Sequence, residues 1–176
     1  MKEKEYFKQF DIEFGSLALG NHHKEVEIKG IFFEKYKNDD VKDCDVHVDI
    51  TLERKEAMVV CSFDMRGYIV SFCDICLEDL TIPISKQEMV VLKITGIARE
   101  SDNETIVFVG EKENFYNIEQ LMYEYIVTQI PIRKVHEETG LGTCNPDMLK
   151  RIEEIKTNSY NQVDERWEVL KEIKFE

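Results

Sequence analysis

The sequence predicts an α+β fold: a curved antiparallel, barrel-like β-sheet followed by C-terminal helices. Two observations point to it. Between residues 26 and 109 apolar and polar side chains alternate in runs bounded by turn residues, which is the period of half-buried strands. Beyond Asn117 the apolar spacing changes to three and four, the period of helices. A third observation sets the scale. The chain has 176 residues, 43% hydrophobic and 10% aromatic, enough to bury a core as one domain spanning 1–176. Its β-rich part is expected over 1–110 and its helical part over 117–176.

Residues 26–35 (VEIKGIFFEK) read as a first strand or hairpin arm, with Asn38-Asp39-Asp40 as the turn after it. From Asp45 to Arg54, Val46, Val48, Ile50 and Leu52 face one way while His47, Asp49, Thr51 and Glu53 face the other. Lys55-Glu56 turns the chain into a strand over 57–63, and the pattern resumes over 67–73. Residues 80–85 and 87–95 read as two further strands, and 105–109 as a last short one. Ser101-Asp102-Asn103-Glu104 has the composition of a hairpin loop.

Ile118, Leu121, Met122, Tyr125 and Ile126 then mark a helix, with Asn117 as N-cap and Glu119 turned away from the apolar side. Pro131 stops it, because a proline pushes the preceding residue out of the α region. Asn145-Pro146 opens the next helix, since Asn caps well and Pro at the first position loses no needed donor. Its apolar stripe is Met148, Leu149, Ile152 and Ile155, and Val163, Trp167, Leu170 and Ile173 suggest a third helix.

The net charge of −13 opposes non-specific binding to nucleic acid, whose affinity comes from Lys and Arg on phosphates. A local basic face remains open, from Arg66, Lys86, Arg133, Lys134, Lys150 and Arg151. So does an acidic protein serving a basic partner. No apolar run approaches the roughly 18 residues of a membrane span, and Met1–Tyr6 leads into no secretory core, so a cytoplasmic protein is expected.

Five cysteines, an odd number in a reducing compartment, argue against a disulfide framework. Cys61 shares a strand face with Val59, Phe63 and Met65 and reads as a buried, inert thiol; Cys44 is also taken as inert. Cys73 and Cys76 are different. Their spacing puts two thiolates across one tight turn, within reach of a single ion.

His136 and Cys144, on either side of a loop with two glycines, complete a Cys3His set for zinc. Cys144 precedes a helix start, where the helix dipole favours a thiolate. Four protein ligands leave no open position, so the metal would be structural and the protein non-enzymatic. Two alternatives stand beside this: metal-free structural thiols, and a redox pair, which belongs at a helix start in a βαβ unit and not between strands. His22-His23 reads as an exposed loop pair and His47 as solvated. No phosphate loop, nucleophile elbow or zinc-protease motif is present, so neither catalytic residues nor a small-molecule substrate are expected.

The β-rich half leading to Cys73-Asp74-Ile75-Cys76-Leu77-Glu78, the helix with Glu124 running into Ile130-Pro131-Ile132, then His136 and Cys144, resemble the bacterial DUF177 or YceD family. Cys144-Asn145-Pro146-Asp147-Met148-Leu149 is similar to the Bacteroidetes-type version. The chain departs at Ile75, where relatives commonly carry a basic residue. The resemblance implies a role in 23S ribosomal RNA accumulation and large-subunit biogenesis. Partners would be the 23S rRNA precursor or a large-subunit ribosomal protein, through a surface the sequence leaves unassigned.

Overall fold

A computed structural model describes residues 3–95, 105–139 and 142–160. The element order is α1 (Glu3–Phe7), a 3-10 turn (Lys8–Phe10), β1 (Asp11–Ile12), β2 (Gly20–Lys29), α2 (Gly30–Lys35), β3 (Asp43–Arg54), β4 (Met58–Phe72) and β5 (Asp79–Thr95). Then follow β6 (Ile106–Gly110), β7 (Tyr116–Asn117), α3 (Glu119–Val127), α4 (His136–Thr139) and α5 (Pro146–Tyr160). The expected third C-terminal helix, at Val163, Trp167, Leu170 and Ile173, lies outside the described residues.

Five strands form one sheet in the order β2-β3-β4-β5-β6, and β1 pairs with β7 in a separate two-stranded ribbon. The α+β class stands. The sheet is open, however, and does not close as a barrel. A reason lies at the edge of β2. There the Gln9 side chain accepts from the Glu27 N–H at 3.2 Å and donates to the Glu27 carbonyl at 3.0 Å. The Tyr6 hydroxyl likewise donates to the Glu27 carbonyl and accepts from the Lys29 N–H at 2.9 Å. These are backbone groups a closing strand would need, and side chains that occupy them blunt the edge.

Other expectations change in detail. The runs 57–63 and 67–73 are one strand, β4, and 80–85 and 87–95 are one strand, β5. Gly67 sits within β4 because a Cβ there would come within 2.1 Å of the Asp45 carbonyl oxygen on β3. The two strands meet too closely for any side chain. The β5–β6 pair is parallel, and the expected hairpin loop Ser101–Glu104 lies outside the described residues. The run 26–35 is a strand only to Lys29; Gly30–Lys35 turns helical and thereby buries both Phe32 and Phe33. His22 and His23 lie on β2, not in a loop.

Alternation along the strands builds the core. Val46, Val48, Ile50 and Leu52 of β3 join Val59, Cys61, Phe63 and Met65 of β4 on one buried face. Phe10, Phe32, Phe33, Met122 and Ile126 belong to the same cluster. Burial of one face of a sheet against helices is the main stabilising term of such a layered domain. Cys44 and Cys61 are buried in this core, and burial pushes each thiol up to about 12. Burial and a raised thiol both disfavour reaction at either position.

α3 is capped by Ile118 and not by the expected Asn117, which lies one residue before the cap and accepts from the Glu119 N–H at 2.9 Å. Glu119 does not face solvent. It is buried and paired with Lys35, joining α3 to α2, and burial together with this carboxylate raises the Tyr36 phenol. The helix ends at Val127 and unwinds through turn bonds as far as Ile130, short of Pro131. Among the described residues no helix is long and apolar enough to cross a membrane.

Candidate metal centre

The turn between β4 and β5 is the first half of the site. Phe72 pairs with Asp79, so Cys73–Glu78 form the loop of a long hairpin. The Cys73 N–H donates to the Glu78 carbonyl, and the Leu77 N–H donates to the Cys73 carbonyl, both at 2.9 Å. Leu77 takes a φ of 61°, a left-handed conformation that costs a non-glycine residue about 1 kcal/mol. The Ile75 N–H points at the Cys73 sulfur, 3.5 Å away.

The second half comes from the segment after α3. His136 opens the short α4, and Cys144 stands immediately before the α5 cap. Asn145 accepts from the Asp147 N–H at 2.9 Å with its side-chain oxygen and donates to Glu78 at 2.7 Å with its side-chain nitrogen. One residue thus caps the helix and ties it to the hairpin loop. Gly142 has a φ of 93°, and a Cβ there would approach the His136 ring to 3.3 Å. Only glycine allows the chain to fold back over the imidazole.

The two halves meet. Cys73 Sγ lies 3.6 Å from Cys144 Sγ, and His136 Nδ1 lies 3.6 Å from Cys76 Sγ and 3.7 Å from Cys144 Sγ. All four residues are buried, and their four donor atoms lie within 4.8 Å of one another. They are positioned to bind a metal ion. The Nε2 of His136 faces the Asp79 carbonyl at 3.3 Å, which fixes the proton there and leaves Nδ1 free to ligate.

The electrostatics favour a cation. Burial alone would raise the Cys73 thiol, but N–H groups of Cys76 and Ile75 aimed at its sulfur outweigh burial and hold it at about 6. Cys144 is pushed the other way. Burial and the adjacent sulfurs of Cys73 and Cys76 raise it to about 11. Three sulfurs gathered with an imidazole in a buried site repel one another as thiolates, and a positive ion among them would offset that repulsion.

Contacts that hold the site closed are partly invisible to residue-type reasoning. Asp74, a mere spacer between the thiols, accepts from the Lys134 N–H through its carboxylate and donates its own N–H to the Lys134 carbonyl. Asp79 acts through its main chain, where no side-chain signal exists. His47 is exposed on its strand, as expected. Of the six basic residues near these motifs, Lys150 and Arg151 are exposed on α5, and the other four are paired with carboxylates. Arg66 pairs with Asp64, Lys86 with Glu88, Arg133 with Glu138 and Lys134 with Asp40.

No curated protein and no solved structure matches the chain. A family model does, over residues 61–174; its description is large ribosomal RNA subunit accumulation protein YceD. That span holds most of β4, all of β5, the hairpin loop with Cys73 and Cys76, and both His136 and Cys144. The chain belongs to the YceD family, whose name carries a role in accumulation of large-subunit ribosomal RNA.

Proposed function

We propose that this protein is a non-enzymatic, cytoplasmic factor that supports 23S rRNA accumulation and large-subunit assembly, with one structural zinc ion held by Cys73, Cys76, His136 and Cys144. The observation that carries the metal is the spacing of the donors. A tetrahedral zinc with bonds of about 2.3 Å to sulfur and about 2.05 Å to nitrogen has S···S edges near 3.8 Å and S···N edges near 3.6 Å. The distances here are 3.6 Å between the Cys73 and Cys144 sulfurs and 3.6 and 3.7 Å from the Cys76 and Cys144 sulfurs to His136 Nδ1, with all four donors within 4.8 Å of one another. Three soft thiolates and an imidazole are a donor set that zinc favours.

With every ligand supplied by the protein, such an ion organises structure and has no place for a substrate. It fastens the β4–β5 loop to the segment that launches α5. The biological role is supported by the family to which the chain belongs.

Between the two partner classes, a large-subunit ribosomal protein is favoured over the rRNA precursor. Four of the basic side chains that might meet phosphate are already neutralised by carboxylates. An acidic adaptor that contacts a basic protein fits the charge of −13. Depletion of the protein in a host that encodes it, followed by gradient profiling, is expected to lower the 50S peak and 23S rRNA. An unchanged profile would contradict the role.

A further inference from the structure

The face of the sheet turned away from the core has a composition that the metal clasp does not explain. Among the described residues it carries only exposed or half-buried side chains along β2 to β5. Glu25 stands directly opposite Asp49, and Asp49 directly opposite Asp64, so three carboxylates form one row across three strands. Like charges in directly opposed positions destabilise a sheet. His23 lies 3.6 Å from Glu25 and 3.8 Å from Asp49, and Arg66 pairs with Asp64, which leaves the row net acidic.

The same face also exposes two large apolar side chains among the polar ones of β4 and β5, and this is an independent feature. Tyr68 is 42% exposed and Met89 48% exposed, and they lie on opposite sides of the acidic row. A shallow groove brings Met89 beside the acidic row, lined by His23, Asp49, Ser62, Asp64, Gln87 and Met89 among others. Acid and exposed apolar surface side by side suit one kind of ligand.

We propose that this face docks a cationic, amphipathic segment of a protein partner. Its Lys or Arg side chains would meet the Glu25–Asp49–Asp64 row, and its apolar side chains would cover Met89 and Tyr68. Charge decides the class of occupant. Phosphates of RNA and anionic lipid headgroups are repelled by the row. A second copy packed on this face about a two-fold axis would set acid against acid. The assignment deepens the partner class favoured above, and it stands whether or not zinc is bound.

The test separates docking from ordinary stability. In Asp49→Lys, two repulsive cross-strand pairs become attractive, so the thermal midpoint is expected to rise. The full chain is titrated against a fluorescein-labelled peptide of alternating Lys and Val at low salt. Wild type is expected to bind, and Asp49→Lys to bind at least about tenfold more weakly. Glu153→Lys, on α5, is expected to bind like wild type despite the same change in net charge. If Asp49→Lys does not fold, Glu25→Gln with Asp64→Asn neutralises two of the three carboxylates with little change of shape and is expected to weaken binding similarly. Undiminished binding by the row variants would overturn the proposal, as would an equal loss in Glu153→Lys. So would tighter binding of a labelled oligouridylate, or of phosphatidylserine vesicles, than of the peptide. The ribosomal role is read separately, by the gradient profile.

Discussion

Asp74 and Lys134 hold each other by two hydrogen bonds. The Asp74 N–H donates to the Lys134 carbonyl at 2.7 Å, and the Lys134 N–H donates to the Asp74 carboxylate at 2.6 Å. This pair joins the hairpin loop to the segment that carries His136, and it needs no metal. Asp74→Ala keeps the first bond and loses the second. A charged acceptor is worth more than a neutral one, so the expected cost is about 1.5 kcal/mol. Denaturant unfolding with and without chelator checks it, and the loss should appear in both.

Leu77 is a strained residue with an exposed side chain, at a φ of 61° and 66% exposure. Asn tolerates the left-handed region better and does not add the unfolded-state entropy of Gly. Leu77→Asn is expected to stabilise the fold by roughly 0.5–1 kcal/mol. A lower thermal midpoint in this variant would mean that the leucine side chain has a packing role.

Gly67 is expected to be intolerant of any side chain. Its Cβ position lies 2.1 Å from the Asp45 carbonyl oxygen and 2.7 Å from Val46 Cα, both main-chain atoms that cannot rotate away. Separating β3 from β4 there breaks pairing in the middle of the sheet. Gly67→Ala should cost about 2–3 kcal/mol or prevent folding. A wild-type denaturation midpoint would contradict the register of these strands.

Much of this architecture was legible because it rests on local periodicity. The alternation in β3, the Asn145-Pro146 helix start and the buried side of Cys61 follow from side-chain order alone. The site residues Cys73, Cys76, His136 and Cys144 stood out by ligand chemistry and by their loop positions. What did not follow was decided by contacts distant in sequence. Gly30–Lys35 turns helical to bury Phe32 and Phe33, overriding a β-like pattern. Glu119 is buried because Lys35 is there to meet it. The sheet stays open where Gln9 and Tyr6 occupy the edge of β2, and nothing in the composition of that segment announces this.

Alkaline pH gives a test of the core thiols. Cys61 is held up at about 12 by burial, whereas an unfolded cysteine ionises near 9. The folded state therefore keeps a proton that the unfolded state loses between these values. Stability is full below about pH 9 and falls as pH rises toward 12, by at most about 1.4 kcal/mol per pH unit for each such thiol. Cys44 behaves alike. Denaturation at pH 8 and pH 10.5 should show the fall, and Cys61→Val should make it shallower.

Metal and fold are expected to be coupled, because ion binding to a site assembled from distant segments contributes folding free energy. Cys76→Ser should cost several kcal/mol and lower the thermal midpoint, and chelation of wild type should do the same. A midpoint unmoved by either would mean that the thiols pack without an ion.

The most direct test is elemental analysis of the protein purified without added metal, wild type beside Cys76→Ser. About one equivalent of zinc is expected in the wild type and a large loss in the variant. Less than about a tenth of an equivalent in the wild type would contradict a structural zinc held by Cys73, Cys76, His136 and Cys144.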